Sequence, residues 1–219
     1  MFLYIVRHGE SRGNVAGMLQ GARIDEPLSP RGVRQAEALA ERLKPVPIDR
    51  IFTSPLVRAR QTAGIVGEGH GAETTVDPDL VEFDWGIWCG RPLDAEMERE
   101  VAAIRARWRS GELDVGPEGG ESPAAASLRA SRFLGRLGAS GAAGAKHALV
   151  VAHGRFNRIL MATLLRRPLS RMDEIRQRNG SLSSFEWNGD GSAVPVLLDD
   201  VGHIPSDLRS VAGGSDSLK

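Results

Sequence analysis

The sequence has little of what would connect it to a membrane or to a cysteine-based site. Cys89 is the single cysteine among 219 residues, which excludes an internal disulfide and a cysteine-ligated zinc cluster and fits a reducing compartment. No apolar run approaches the roughly 20 residues that span a bilayer. Residues 1–6 lack the charged start and long apolar centre of a secretory signal. We therefore expect a cytoplasmic protein without a membrane partner.

The sequence also lacks a net charge. Lys and Arg together number 28, as do Asp and Glu, so no overall field favours nucleic acid as a partner. Any affinity for an anion must come from arginines that cluster locally. The 41% hydrophobic content is ordinary for a globular protein that buries a core.

Two apolar stretches of the chain end in the same dipeptide, His-Gly. Residues 2–6 lead into Arg7 and His8, and residues 148–152 lead into His153. Both stretches are typical of buried strands. Ligands of open α/β sheets bind beyond the carboxyl ends of the strands. If these two strands are parallel neighbours, the two imidazoles face one site.

Predicted strands and helices alternate along the rest of the chain. Serine–proline pairs at 29–30, 54–55 and 122–123 each supply an N-cap and a first helical residue. This alternation predicts a three-layer α/β/α fold with a mixed, mostly parallel central sheet. Two late strands, at 181–187 and 193–198, are joined by few residues and must be antiparallel.

The organisation predicted from composition is a single domain over residues 1–201. Within it, about 83–121 is a loop-rich insertion that we expect to cap the pocket. The small residues at 138–145 predict a flexible connection. Residues 202–219 predict a poorly ordered tail.

An ordered set of motifs covers the chain to about residue 200. Its members are Arg7-His8-Gly9-Glu10 with Asn14, Thr53-Ser54-Pro55-Leu56 with Arg58 and Gln61-Thr62-Ala63, Leu80 with Glu82, and His153-Gly154. This set resembles the histidine phosphatase superfamily, also called the phosphoglycerate mutase-like family. The resemblance implies a phosphoglycerate mutase-like fold and a metal-independent phosphatase, with no cofactor, that hydrolyses a phosphorylated small molecule through a phosphohistidine.

Phosphoryl transfer requires a nucleophile in line with the leaving oxygen and cations around the equatorial oxygens. The resemblance makes His8 the nucleophile, with a backbone carbonyl expected to bind its other ring nitrogen, and His153 a donor to a phosphoryl oxygen. Arg58 lies in the first turn of a predicted helix, so its side chain leans toward the same sheet edge. Strict strand alternation would point Arg7 away from His8. Arg7 serves the site only if strand geometry ends at residue 7 or 8.

The leaving alkoxide needs a proton, and Glu10, Glu82 and Asp84 are the candidates. Glu82 matches the general acid of the family in position. Nearby Phe83, Trp85 and Trp88 could bury it, and we predict that Glu82 is the proton donor.

Several further residues are candidates for substrate binding. Asn14 and Gln20 lie in a glycine-rich loop after His8, and Gly154 opens a helix whose N–H groups suit an anion. Arg12, Arg23 and Arg155 add positive charge, and we expect at least one of them to contact a second acidic group on the substrate. Ser54 is either an N-cap or a ligand.

Three functions remain open at this point. A phosphatase is favoured over a phosphoglycerate mutase because authentic mutases resemble each other in a Trp before the loop asparagine, where this chain has Gly13, and in more capping sequence. A catalytically silent binding protein on the same fold is the third. The sequence leaves the substrate unnamed and a homodimer open.

Overall fold

The computed structural model describes residues 1–142, 144–188 and 192–209. Its strands are β1 (Phe2–Arg7), β2 (Arg50–Thr53), β3 (Glu73–Val76), β4 (His147–Ala152), β5 (Leu182–Trp187) and β6 (Ala193–Asp200). They form one sheet in the order β3-β2-β4-β1-β5-β6. The first four are parallel, and β5 and β6 are antiparallel additions. The predicted mixed, mostly parallel sheet is confirmed.

The helices lie on both faces of this sheet. They are α1 (Arg12–Val15), α2 (Pro30–Leu43), α3 (Val57–Gly67), α4 (Ala95–Arg109), α5 (Pro123–Ala142) and α6 (Gly154–Leu164). Short 3₁₀ segments lie at Pro78–Leu80, Gly86–Trp88, Leu169–Glu174 and Ser206–Leu208. No helix in the described part of the chain is long and apolar enough to cross a membrane.

Alternate side chains of β4 explain the three layers. Leu149 and Val151 pack with the buried residues of α2 and α3, whereas Ala148 and Val150 pack with those of α4, α5 and α6. Both faces are apolar because successive strand side chains point to opposite sides. The sheet therefore buries two cores, and only its carboxyl edge carries the polar site.

The serine–proline signals predict helix starts unevenly. Ser29 caps α2 as predicted, since its side chain accepts a hydrogen bond from the Gly32 N–H. The prediction at 54–55 was wrong by two residues, because α3 begins at Val57 and has no side-chain cap. The Ser54 hydroxyl contacts His153 instead.

Two predicted irregular segments are more ordered than expected. The helix α5 continues through Ala142, so residues 138–142 are no flexible connection; residue 143 lies outside the described residues. Phe133 and Leu137, one turn apart, are fully buried, and such packing overrides the low helix propensity of glycine. The buried apolar stripe of α5 therefore extends at least to Leu137.

The first residues of the predicted tail, from Gly202 to Leu208, are packed against the rest of the protein. Val201, Ile204 and Leu208 form a small buried cluster, and the side chain of Gln35 on α2 donates to the Leu208 carbonyl at 2.7 Å. The packed part of the chain thus extends to residue 209. The rest of the predicted tail, residues 210–219, lies outside the described residues.

Candidate active site

The two strand-end imidazoles meet, as predicted. The strands β1 and β4 are parallel neighbours with Arg7 opposite Ala152, so His8 and His153 leave the sheet side by side. Their ring centroids lie 5.0 Å apart with the planes tilted by 59°. A small pocket opens beside His8, and we call it the His8 pocket. Six predicted site residues line it: Arg7, His8, Asn14, Gln20, Arg58 and Glu82.

The ring of His8 has a defined orientation. Its Nδ1 lies 2.6 Å from the Gly9 carbonyl oxygen, and a carbonyl can only accept, so Nδ1 carries the proton. In the neutral ring Nε2 then carries the lone pair. The guanidinium of Arg58 faces that atom, with Nε at 3.3 Å from His8 Nε2. The predicted backbone acceptor for the second ring nitrogen is present.

The strand β1 ends immediately before His8, which settles the direction of the Arg7 side chain. Arg7 is the last residue of β1 and His8 lies beyond it, so strand alternation does not separate their side chains. The buried Arg7 side chain donates from Nη1 to the Gln177 carbonyl at 2.5 Å. A Cβ atom at Gly154 would lie only 3.1 Å from Arg7 Nε. The absence of a side chain at Gly154 therefore makes room for the Arg7 guanidinium.

Replacing Gly154 by alanine is expected to lower kcat/KM for a phosphate ester by roughly tenfold, because the added methyl displaces a buried cation by a few tenths of an ångström. Gly64→Ala, in the middle of α3, is the matched control, since no atom lies within 4 Å of the position its Cβ would take. Steady-state kinetics on both variants checks this. A Gly154→Ala enzyme as active as the wild type would contradict the packing argument.

Arg58 is 1% exposed and is fixed from two sides. Its terminal nitrogens donate to the carbonyls of Gly21 at 3.0 Å and Ile24 at 2.9 Å. Burial lowers its pKa to about 10, against the opposing field of Glu82. The group therefore stays positively charged at neutral pH and is available to an anion beside His8.

His153 is fully buried. Its Nε2 lies 2.7 Å from the Ser54 hydroxyl, and its Nδ1 has no hydrogen-bond partner in the described part of the chain. Burial, followed by the charge of Arg58, holds the pKa of this imidazole well below its usual 6.5. His153 is thus neutral at neutral pH, and Ser54 orients it rather than capping α3.

This burial predicts a pH dependence of stability. Below about pH 6.5 the unfolded chain takes up a proton on His153 that the folded chain does not, so the free energy of unfolding falls as the pH is lowered. The slope for one such group reaches about 1.4 kcal/mol per pH unit. Urea denaturation between about pH 5 and about pH 8 should show a shallower dependence for His153→Gln than for the wild type.

The control for that measurement is His147→Gln, which changes a partly exposed histidine at the start of β4. Burial also lowers the pKa of the His203 side chain. Because the wild type and His153→Gln both contain His203, the difference between their pH dependences of unfolding free energy reports His153 alone. Parallel curves for wild type and His153→Gln would contradict the assignment of a neutral buried ring.

Glu82 is the one of the three predicted acids that lines the His8 pocket. Its Oε1 accepts from the N–H groups of Phe83 at 2.8 Å and Phe156 at 2.9 Å, and its Oε2 accepts from Arg155 N–H at 3.3 Å. The carboxylate thus occupies the N-terminus of α6. The N–H groups that we expected to bind a substrate anion behind Gly154 are already engaged.

The other two candidate acids have different partners. Asp84 accepts both arms of the Arg23 guanidinium at 2.9 and 3.0 Å. Glu10 accepts from the Ser29 hydroxyl at 2.7 Å, at the start of α2. Neither lines the His8 pocket.

The contact predicted between the substrate and one of Arg12, Arg23 and Arg155 stays a prediction, and the structure gives two of these arginines other partners. Arg23 is held in the ion pair with Asp84. The side chain of Arg155 is fully buried, pairs with Asp173 and lies over the rings of Trp85 and Trp108. Neither arginine lines the His8 pocket. Asp84 pairs with Arg23, and Asp173 pairs with Arg155 as well as with Arg105, Arg109 and Arg158. These partners are distant in sequence, so no local pattern predicts the pairings.

Cys89 is no nucleophile in this setting. Its Sγ lies 3.7 Å from the Asp84 carboxylate, and burial raises the pKa of the thiol. The protonated form is therefore favoured at neutral pH. In the described part of the chain, no three His, Cys, Asp or Glu side chains are grouped to hold a metal ion.

The sequence analysis did not identify two residues, Asn179 and Arg129, whose side chains support the backbone around the site. Asn179 donates to the His8 carbonyl at 3.2 Å and to the Asn14 side-chain oxygen at 3.3 Å. Arg129 donates to the Val81 carbonyl at 2.8 Å and stacks on the ring of Phe156. Both are remote in sequence from their partners, so no local signal could have found them.

The fold and the paired imidazoles define the class: the chain belongs to the histidine phosphatase superfamily, whose branch 1 model matches residues 3–200. It is 34% identical over 189 residues to the adenosylcobalamin/alpha-ribazole phosphatase of Salmonella typhi, covering 85% of this chain and 90% of that protein. It is also 34% identical over 210 residues to the probable phosphoglycerate mutase GpmB of Cronobacter sakazakii, covering 92% and 94%.

A solved relative confirms the predicted phosphoglycerate mutase-like fold. The alpha-ribazole phosphatase from Shigella flexneri superposes with a TM-score of 0.78 at 30% identity, over 91% of this chain and 96% of that one. The relatives thus include phosphatases as well as a probable mutase.

Proposed function

We propose that the protein is a phosphomonoesterase that hydrolyses a small phosphorylated metabolite through a phosphohistidine on His8. The observation that carries the proposal is the orientation of the His8 ring. Its Nδ1 is tied to the Gly9 carbonyl, which directs the Nε2 lone pair toward the pocket and the Arg58 guanidinium. A neutral imidazole fixed in this way is a competent nucleophile near neutral pH.

In the first step, His8 Nε2 attacks phosphorus and the bond to the leaving oxygen breaks. Glu82 gives its proton to that oxygen, so the alcohol leaves neutral. In the second step, water attacks the phosphohistidine, Glu82 takes the water proton, and the P–N bond breaks to release phosphate. Arg7 and Arg58 stabilise the equatorial charge, and we assign the unpartnered Nδ1 of His153 to a phosphoryl oxygen.

The pairing of nearby cations favours a phosphatase over a mutase. A phosphoglycerate mutase must hold the carboxylate of its substrate while the phosphoryl group is exchanged. None of Arg12, Arg23 and Arg155, the cations expected to do this, lines the His8 pocket, and Arg23 and Arg155 are paired with Asp84 and Asp173. The same pairing favours substrates whose leaving alcohol carries no second acidic group.

The test measures two products at once. The enzyme is incubated with 3-phosphoglycerate and 2,3-bisphosphoglycerate, and both 2-phosphoglycerate and inorganic phosphate are followed. A panel of phosphorylated metabolites, with alpha-ribazole 5′-phosphate included because relatives are named for it, is then screened for phosphate release. We expect phosphate release that is undiminished by EDTA.

Each alternative has its own signature. Fast isomerisation with little phosphate release would identify a mutase. A chain that binds vanadate but releases no phosphate from any ester would be the silent binding protein. Chelator-sensitive activity would contradict the metal-free mechanism.

A further inference from the structure

A second cavity lies away from the His8 pocket, between the end of α6, the segment 174–178 and the β6 strand. Its volume is about 300 Å³, at the lower end of the range for small-molecule sites. Among the described residues, none lines both this cavity and the His8 pocket. We call it the β6 cavity.

One side of the β6 cavity is apolar. Leu165, Ile175 and Leu198 line it, and Leu198 is 45% exposed. Val194 and Val196 precede Leu198 at alternate positions on the same strand and are also exposed. The cavity can therefore accept an apolar group.

The charged side chains of the β6 cavity leave an excess of positive charge. Its two acids are engaged: Glu174 accepts from Arg171 at 2.8 and 2.9 Å, and Asp199 accepts from Arg178 Nε at 2.8 Å. Arg167 and Arg176 also line the cavity, and neither makes an ion pair within 4.0 Å in the described part of the chain. Guanidinium groups match carboxylates and phosphates with two parallel donors.

Two non-glycine residues beside the β6 cavity have φ in the left-handed region, Arg166 at 51° and Asp199 at 48°. Arg166 belongs to the end of α6, where the N–H groups of Arg166 and Arg167 donate to the carbonyls of Thr163 and Ala162 in a common left-handed helix end. This turn places Arg167 at the cavity, and Asp199 lines the cavity directly.

We propose that the β6 cavity binds an amphipathic organic anion. Its apolar body lies on Leu198 and Leu165, and its acidic group contacts the guanidinium groups of Arg167 and Arg176. The proposal does not rest on the phosphatase mechanism, because the two sites share no lining residue.

The probe for this site is anilinonaphthalene sulfonate, whose fused rings carry one anionic group and whose fluorescence rises in apolar surroundings. Fluorescence titration of the wild type in saturating vanadate, which blocks the His8 pocket, should give saturable binding. The double variant Arg167→Gln/Arg176→Gln should bind at least about tenfold more weakly, because both charge-assisted donors are lost. Phenylnaphthylamine has the same rings without the acidic group and should bind both proteins alike.

The matched control is Arg34→Gln/Arg99→Gln, which removes two exposed arginines elsewhere on the surface and should bind the probe as the wild type does. Leu198→Glu, at an exposed position, should abolish binding by placing a carboxylate beside the probe. The proposal is overturned by an absence of saturable binding or by equal losses in the two arginine double variants. It is also overturned if the neutral probe loses as much affinity as the anionic one, since the cavity would then be an apolar groove only.

Discussion

Replacing His8 by alanine is expected to lower kcat/KM for p-nitrophenyl phosphate by on the order of 10⁴-fold or more, because the phosphoryl group then has no acceptor on the protein. The fold should survive, since the ring lies at the wall of a pocket and its Nδ1 bonds to the carbonyl of the next residue, Gly9. His70→Ala, in the loop after α3, is the control and should keep full activity.

The covalent intermediate gives a second measurement of the same prediction. Brief exposure of the wild type to a phosphate ester, followed by mass spectrometry under alkaline conditions, should place one phosphoryl group on His8. The His8→Ala protein should carry none. A His8→Ala enzyme that is folded by circular dichroism and hydrolyses the ester at the native rate would reject the mechanism.

The second large effect is expected for Glu82→Gln. Loss of the proton donor should lower kcat/KM for alkyl phosphates, which reports the formation of the phosphohistidine and not its hydrolysis, by roughly 10²- to 10⁴-fold. The loss should be far smaller for p-nitrophenyl phosphate, because p-nitrophenolate is a stable leaving group that needs no proton. The amide oxygen of glutamine can still accept from one N–H at the start of α6, so the fold should be retained at a cost of about 1 kcal/mol.

Comparing the two leaving groups separates the chemical role of Glu82 from its structural one. A residue that only caps α6 would lower both activities by the same factor, and equal losses would therefore contradict its role as acid. Glu10→Gln changes a carboxylate at the start of α2 and should alter neither activity. Asp84→Asn tests the competing acid, and it should keep the difference between leaving groups seen for the wild type.

The parts of the site that were predictable share one property. Each follows from a local sequence pattern together with the rule that ligands of open α/β sheets bind at the carboxyl ends of the strands. Two apolar strands that end in His-Gly placed both imidazoles at one edge, and a helix start beside β2 placed Arg58 there. What stayed open was the direction of the Arg7 side chain. It depended on whether β1 ended at residue 7, and the hydrogen bonds of Gly180 to the carbonyls of Arg7 and His8 show that it does.

Several features that the sequence did not predict involve a residue whose partner is remote in the chain. Nothing in the sequence near Arg23 or Arg155 indicates an ion-pair partner, but in the structure they pair with Asp84 and Asp173. Leu208, in the predicted tail, is buried because its side chain packs with Ile204 and its carbonyl accepts a hydrogen bond from Gln35. No pattern within a few residues records such contacts.

The sequence by itself determined the layered sheet and the presence of two imidazoles and of arginine at its carboxyl edge, because periodicity is a local property. The tertiary structure decided that β1 and β4 are neighbours, which brings the two imidazoles together. Only the tertiary structure decided which cations are available and where the N–H groups of α6 are used. Long side chains reach across the fold, and the carboxylate that each one meets is set by packing rather than by spacing along the chain. The available charge around His8, and with it the class of ester the pocket can accept, is therefore a property of the folded molecule.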